Sequence, residues 1–146
     1  MIFRNALFFT IILFTSCNHI ESNETLKQVD IERLKSLKLL DKGESVIKFY
    51  SEFKNEIAGN FFTEKRIAKY WLDEKDKSQN QISFAFYRDI KSIDTVYYAG
   101  STYCPFMLIT KNDNTKFKVF VDGEREEIKS FFEEALDLWA KNKNGK

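Results

Sequence analysis

The stretch that most constrains this chain is residues 60–93, NFFTEKRIAKYWLDEKDKSQNQISFAFYRDIKSI. Two runs rich in Phe, Tyr and Ile flank a polar turn, and a third breaks off at Tyr87, Arg88, Asp89 and Ile90. Each run is too short for a helix and too aromatic and β-branched for a loop. A chain with such a hairpin at its centre must build a sheet around it.

The flanking sequence supplies that sheet. Residues 46–51 read as a first strand, followed by a loop around Lys54, Asn55 and Glu56 and a break at Gly59 and Asn60. Phe61 and Phe62 pair with residues 67–72 across a turn at 63–66. Residues 73–80, DEKDKSQN, hold no apolar side chain and predict a solvated connection. Residues 81–87 alternate, with Ile82, Phe84 and Phe86 on one face and Gln81, Ser83 and Ala85 on the other. Residues 95–99 and 106–110 predict two more strands, separated by Gly100, Ser101 and Thr102. After a turn at 111–115, Phe117, Val119 and Val121 alternate with Lys116 and Lys118, predicting a seventh. Most aromatic residues sit at strand period and are expected to fill a small core. Phe106, Met107, Leu108 and Ile109 are apolar on both faces of their strand, a candidate exposed patch.

Helical periodicity brackets this β-rich body. Leu26, Val29, Leu34, Leu37 and Leu40 are spaced for a helix within residues 25–42, broken at Asp41, Lys42 and Gly43. It is expected to pack on the domain or to space it from a membrane. A membrane-surface helix is the weaker reading, because Asp30 and Glu32 interrupt the basic face. At the other end, Asp122 and Gly123 offer an N-cap, and Glu124, Glu126 and Glu127 suit a first helical turn. Ile128, Phe131, Phe132, Ala135, Leu138 and Trp139 then form an apolar stripe. Residues 142–146 make a polar tail.

Two segments give these elements a family likeness. Phe62-Thr63-Glu64-Lys65-Arg66-Ile67 and Tyr87-Arg88-Asp89-Ile90-Lys91-Ser92-Ile93 resemble the turn between the second and third strands, and the close of the fourth, in bacterial pleckstrin-homology-like domains. The likeness covers about residues 43–141, through strand number, the two motifs and the closing helix. It implies an α+β fold: a PH-like seven-stranded antiparallel barrel or roll, capped by a C-terminal amphipathic helix and preceded by a short N-terminal helix. The runner-up is another α+β roll with an N-terminal helix packed on a curved sheet.

The first residues read as an address. Arg4 precedes an apolar run from 6 to 14, then Thr15, Ser16 and Cys17, the order of a secretory signal and too short to span a bilayer. A small residue directly before cysteine resembles the lipobox of bacterial lipoproteins, with Phe14 in place of the usual Leu, Val or Ile. The resemblance implies cleavage after residue 16, lipid attachment at Cys17 and a membrane anchor of several acyl chains, palmitate among them. It also implies a place in the bacterial cell envelope, at the outer membrane rather than the inner since Asn18 is not Asp. The predicted organisation is a signal peptide at 1–16, a lipid-anchored tether at 17–24 that includes His19, the helix at 25–42, the PH-like domain at 43–141 and the tail at 142–146.

Charge and chemistry narrow the function. Only Arg4 of the 23 Lys and Arg lies before residue 17, which leaves the remainder balanced against 22 acids. A neutral domain lacks the basic footprint of a nucleic-acid binder. With Cys17 lipidated, Cys104 has no disulfide partner, and next to Pro105 in an apolar run it is expected to pack as a small hydrophobe. No nucleophile–base pair, metal cluster, Gly-rich loop or cofactor motif is present, so no catalytic or metal-binding residue is predicted. In residues 48–60, Lys48 and Lys54 are matched by Glu52 and Glu56, which departs from the phosphoinositide-binding pattern of eukaryotic PH domains. The expected role is a non-catalytic module that binds a protein partner in the envelope. The alternatives are an immunity-type inhibitor of a toxin and a lipid- or small-molecule-binding lipoprotein. No contact residue follows from the sequence.

Overall fold

Phe61 and Phe62 are neighbours on one strand and point to opposite faces, yet both are fully buried. Their sheet is therefore covered on both sides, and the rest of the architecture follows from how. The computed structural model describes residues 19–101 and 103–144. Its elements are α1 (Gln28–Ser36), β1 (Val46–Tyr50), β2 (Ala58–Thr63), β3 (Arg66–Trp71), β4 (Gln81–Phe86), β5 (Ile90–Val96), β6 (Phe106–Lys111), β7 (Lys116–Phe120) and α2 (Arg125–Asn142).

The strands form two antiparallel sheets, ordered β1-β2-β3-β4 and β5-β6-β7. They do not close into a barrel: β4 does not pair with β5, nor β7 with β1. This corrects the expected barrel. The chain leaves β4 through a 3-10 turn at Tyr87–Asp89 and starts the second sheet afresh at Ile90.

The inner face carries the main core. Phe62, Ile67 and Ala85 of the first sheet meet Met107, Ile109 and Val119 of the second, and α2 adds Ile128, Phe131, Phe132 and Ala135. Phe62 and Phe131 meet edge to face, with centroids 4.9 Å apart. Trp139 Nε1 donates to Ile90 O at 3.3 Å, fixing the far end of α2. α2 starts with a capping box: Glu127 accepts from the Glu124 backbone at 3.0 Å, and Glu124 accepts from the N3 amide. The cap is thus Glu124 and not Asp122 or Gly123.

The outer face of the first sheet carries a second core under α1. Leu26, Ile31, Leu34, Leu39 and Leu40 cover Val46, Phe49, Phe61, Ala68 and Tyr70. α1 is shorter than the expected span of 25–42. It ends at Ser36 with Leu37 as its C-cap, and Lys38 adopts a left-handed φ of 59°. Leu39 N donates to Leu34 O and Lys38 N to Lys35 O, a Schellman ending built without glycine.

Three further differences matter below. The fifth strand begins at Ile90 rather than 95, which leaves residues 97–105 as a connection. Gly59 and Asn60 lie inside β2 instead of breaking it. In β4 the faces are the reverse of the aromatic expectation: Ala85 enters the main core, while Ile82 and Phe84 face outward at 42% and 36% exposure.

Candidate functional site

With β5 ending at Val96, the sequence Tyr97, Tyr98, Ala99, Gly100, Ser101 leaves the sheet and returns through Tyr103, Cys104 and Pro105 to β6. Gly100 takes a φ of 81°, a conformation that favours glycine and lets the connection turn. Tyr97 is held by its ring, 5.3 Å from that of Phe132 on α2. Tyr98 and Tyr103 are 83% and 73% exposed. Between this connection and the first turns of α2 lies an open groove of about 1160 Å³. Tyr97, Tyr98 and Tyr103 line one side, and Arg125, Ile128 and Lys129 line the other. Rigid, amphipathic tyrosine rings offer large contact area at low entropic cost, the residue type enriched at protein interfaces.

The groove holds one thiol. Burial, and then the negative charges of Asp122 and Glu52, push Cys104 above its ordinary value, so it stays protonated at neutral pH. Cys104 is half-buried in the wall of the groove. Among the described residues no group of three or more His, Cys, Asp and Glu is placed to hold a metal ion.

Of the sequence-predicted positions, Cys17 lies outside the described residues. The described part of the tether is not free chain. Glu21 exchanges both backbone hydrogen bonds with Phe49 at 2.8 Å, Asn23 N donates to Val46 O, and Ile20 packs against the main core. No helix among the described residues is long and apolar enough to cross a membrane. The patch expected at 106–109 is not an exposed one: Met107 and Ile109 are fully buried, and Phe106 packs on Phe120 with centroids 6.0 Å apart. Lys48 bonds Glu134 at 2.9 Å and Ser130 at 2.6 Å, tying β1 to α2.

The tyrosine groove was missed from sequence because residues 95–99 carry strand-like side chains. One signal was available. Tyr97 and Tyr98 are consecutive and lead straight into Ala-Gly-Ser, and in a one-sided strand the second ring would have to face water.

No family model matches the chain, and no curated protein matches it. Among solved structures it is similar to a DUF1696 family protein with a pleckstrin-homology domain from Shewanella loihica PV-4. The two superpose with a TM-score of 0.55 at 8% identity, over 86% of this chain and 98% of that one. The fold is PH-like. At that identity the likeness carries the architecture and leaves the ligand open.

Proposed function

We propose that this PH-like chain is a membrane-anchored, non-catalytic lipoprotein of the bacterial envelope whose domain binds a protein partner through the tyrosine groove. The observation that carries the binding role is the pair Tyr98 and Tyr103, large rings left in solvent beside a groove, where burying them would contribute well over what scattered surface residues do. The anchor rests on the signal-like residues 1–16 and on Cys17. Ile20 already packs on the domain, so only two residues separate it from the lipid-bearing position, a span of about 10 Å when extended. Such an anchor would hold the domain close to the bilayer.

The test is crosslinked affinity purification of the full chain from its own membranes. A single near-stoichiometric protein that disappears with Tyr98→Ser/Tyr103→Ser supports the reading. Its identity then separates an envelope adaptor from an inhibitor of a toxin. Recovery of lipid with no enriched protein overturns it. Fractionation of Cys17→Ser checks the anchor separately, since retention of that variant in the membrane would rule out attachment at Cys17.

A further inference from the structure

The unclosed side of the β-sandwich has a character of its own. β4 pairs with β3 on one edge only. Along its other edge runs a groove in two joined stretches of about 450 Å³ each, sharing Ser83, Lys116 and Phe117. An unpaired strand edge is a template for another strand, and proteins usually blunt such edges with charge, proline or a bulge. This edge has none of these: residues 78–87, SQNQISFAFY, contain no Lys, Arg, Asp, Glu, Pro or Gly.

The charge lies across the groove instead. Lys111, Lys116 and Lys118 line it from β6 and β7, and Lys69 lines it from β3. Asp89 is the acid in the lining, and Asp113 lies 3.9 Å from Lys111. Lys69 and Lys118 rest over the rings of Phe120 and Phe106 at 5.4 and 4.4 Å. Burial lowers Lys69 from its ordinary value, and Glu52 offsets this only in part, so the fold pays for keeping an ammonium there. In a domain with balanced charge, this concentration of cations is local.

The two faces of β4 divide the chemistry further. Ile82 and Phe84 stand exposed on the outer face, while Ser83 and Gln81 share the inner face with Lys69. An added strand would alternate in the same way, with period two. We infer that the β4 edge accepts an extended segment of a partner protein in which acidic and apolar residues alternate. Its main chain pairs with β4, its apolar side chains cover Ile82 and Phe84, and its carboxylates meet Lys69, Lys116 and Lys118. A second copy of this chain is a poor occupant, because its own β4 brings no acid and its β7 brings more lysine. This surface is separate from the tyrosine groove and stands or falls without it.

The experiment titrates the full chain in detergent with a fluorescent synthetic peptide alternating glutamate and isoleucine, long enough to span β4. Binding should be salt-sensitive, weaken at least about tenfold in Lys116→Glu/Lys118→Glu, and slow hydrogen exchange within residues 81–86. Tyr98→Ser/Tyr103→Ser should leave it unchanged, which keeps a failure here distinct from failure of the groove reading. The same substitution pair in Lys→Gln form controls for folding, and it should weaken binding less than charge reversal. Absence of binding, equal affinity of the charge-reversed variant, or protection appearing at residues 97–105 instead would each overturn the inference.

Discussion

Arg66 and Glu44 form a two-pronged ion pair inside the fold: Nε donates to Oε1 at 3.0 Å and Nη2 to Oε2 at 2.7 Å. Their side chains are 2% and 0% exposed. Glu44 also accepts from the Thr63 hydroxyl and from Asp41 N, while Arg66 reaches Asp41 and lies against the rings of Phe84 and Phe86. The pair thus clamps the segment after α1 to the β2–β3 turn. Arg66→Met leaves a buried carboxylate without its cation and should cost about 3–5 kcal/mol in urea unfolding. Arg66→Lys should recover little, because an ammonium cannot replace both prongs of the fork. Adding Glu44→Leu to Arg66→Met should restore most of the loss. A cost below about 1 kcal/mol for Arg66→Met would show that water reaches Glu44 and that the clamp is not closed.

Gly59 gives the second prediction. It pairs with Tyr70 in the β2–β3 ladder, and a Cβ there would lie 2.5 Å from Tyr70 Cε1 and 2.6 Å from Phe49 Cε2. Both rings are buried in the core under α1, so neither has room to withdraw. Gly59→Ala should destabilise by about 1–3 kcal/mol through overpacking, read as a lower thermal midpoint with the far-UV spectrum unchanged. A neutral result would mean that the α1 core is loosely packed.

How far the fold was readable from sequence differs by element, for physical reasons. The β2–β3 hairpin was readable because Thr63 and Arg66 bound a polar two-residue turn between aromatic runs. α2 was readable because its stripe and its acidic first turn are both local signals. Alternation in β4 marks two faces but does not say which is inside. Ala85 won that place because Ile67, opposite it, faces the second sheet and α2, while Phe84 and Phe86 found a cation to stack on. Gly59 looked like a break because glycine's usual signal is a turn. Here it answers to two rings that come from distant positions in the chain. Arg66 lies at the turn between β2 and β3, but its partner Glu44 lies 22 residues away, and no local pattern links them.

The end of α1 yields the third prediction. Lys38 occupies the left-handed position of the Schellman ending at φ 59°, where a Cβ is unfavourable. Lys38→Gly should stabilise the domain by about 0.5–1 kcal/mol, since it removes strain while the hydrogen bonds from Leu39 and Lys38 to Leu34 and Lys35 remain. Lys38→Val should lower the midpoint instead. If Gly and Lys are equivalent at this position, the ending relaxes out of the left-handed conformation in solution.

Two buried phenols set the alkaline limit. Tyr87 donates to Thr63 O at 2.6 Å, and burial, followed by the charges of Glu64, Glu44 and Glu134, pushes its pKa upward. Tyr70, bonded to Asn55 O, is raised mainly by burial, with Arg33 pulling the other way. A group whose folded value is raised binds its proton longer in the native state. Its contribution is therefore fully present below the unfolded value of 10.0 and is lost as the pH climbs past it. Lys69 has the opposite sign: its lowered folded value means that stability rises with pH up to its unfolded 10.5, after which the lysine adds nothing more. Thermal midpoints should accordingly fall steeply above pH 10, with Lys69→Met removing the small rise before the fall. Tyr87→Phe should cost about 1 kcal/mol at neutral pH by leaving Thr63 O without its donor, and yet show a shallower alkaline decline than the parent. An alkaline limb unchanged in Tyr87→Phe would mean that the Tyr87 phenol does not govern it and that unfolding there begins elsewhere in the fold.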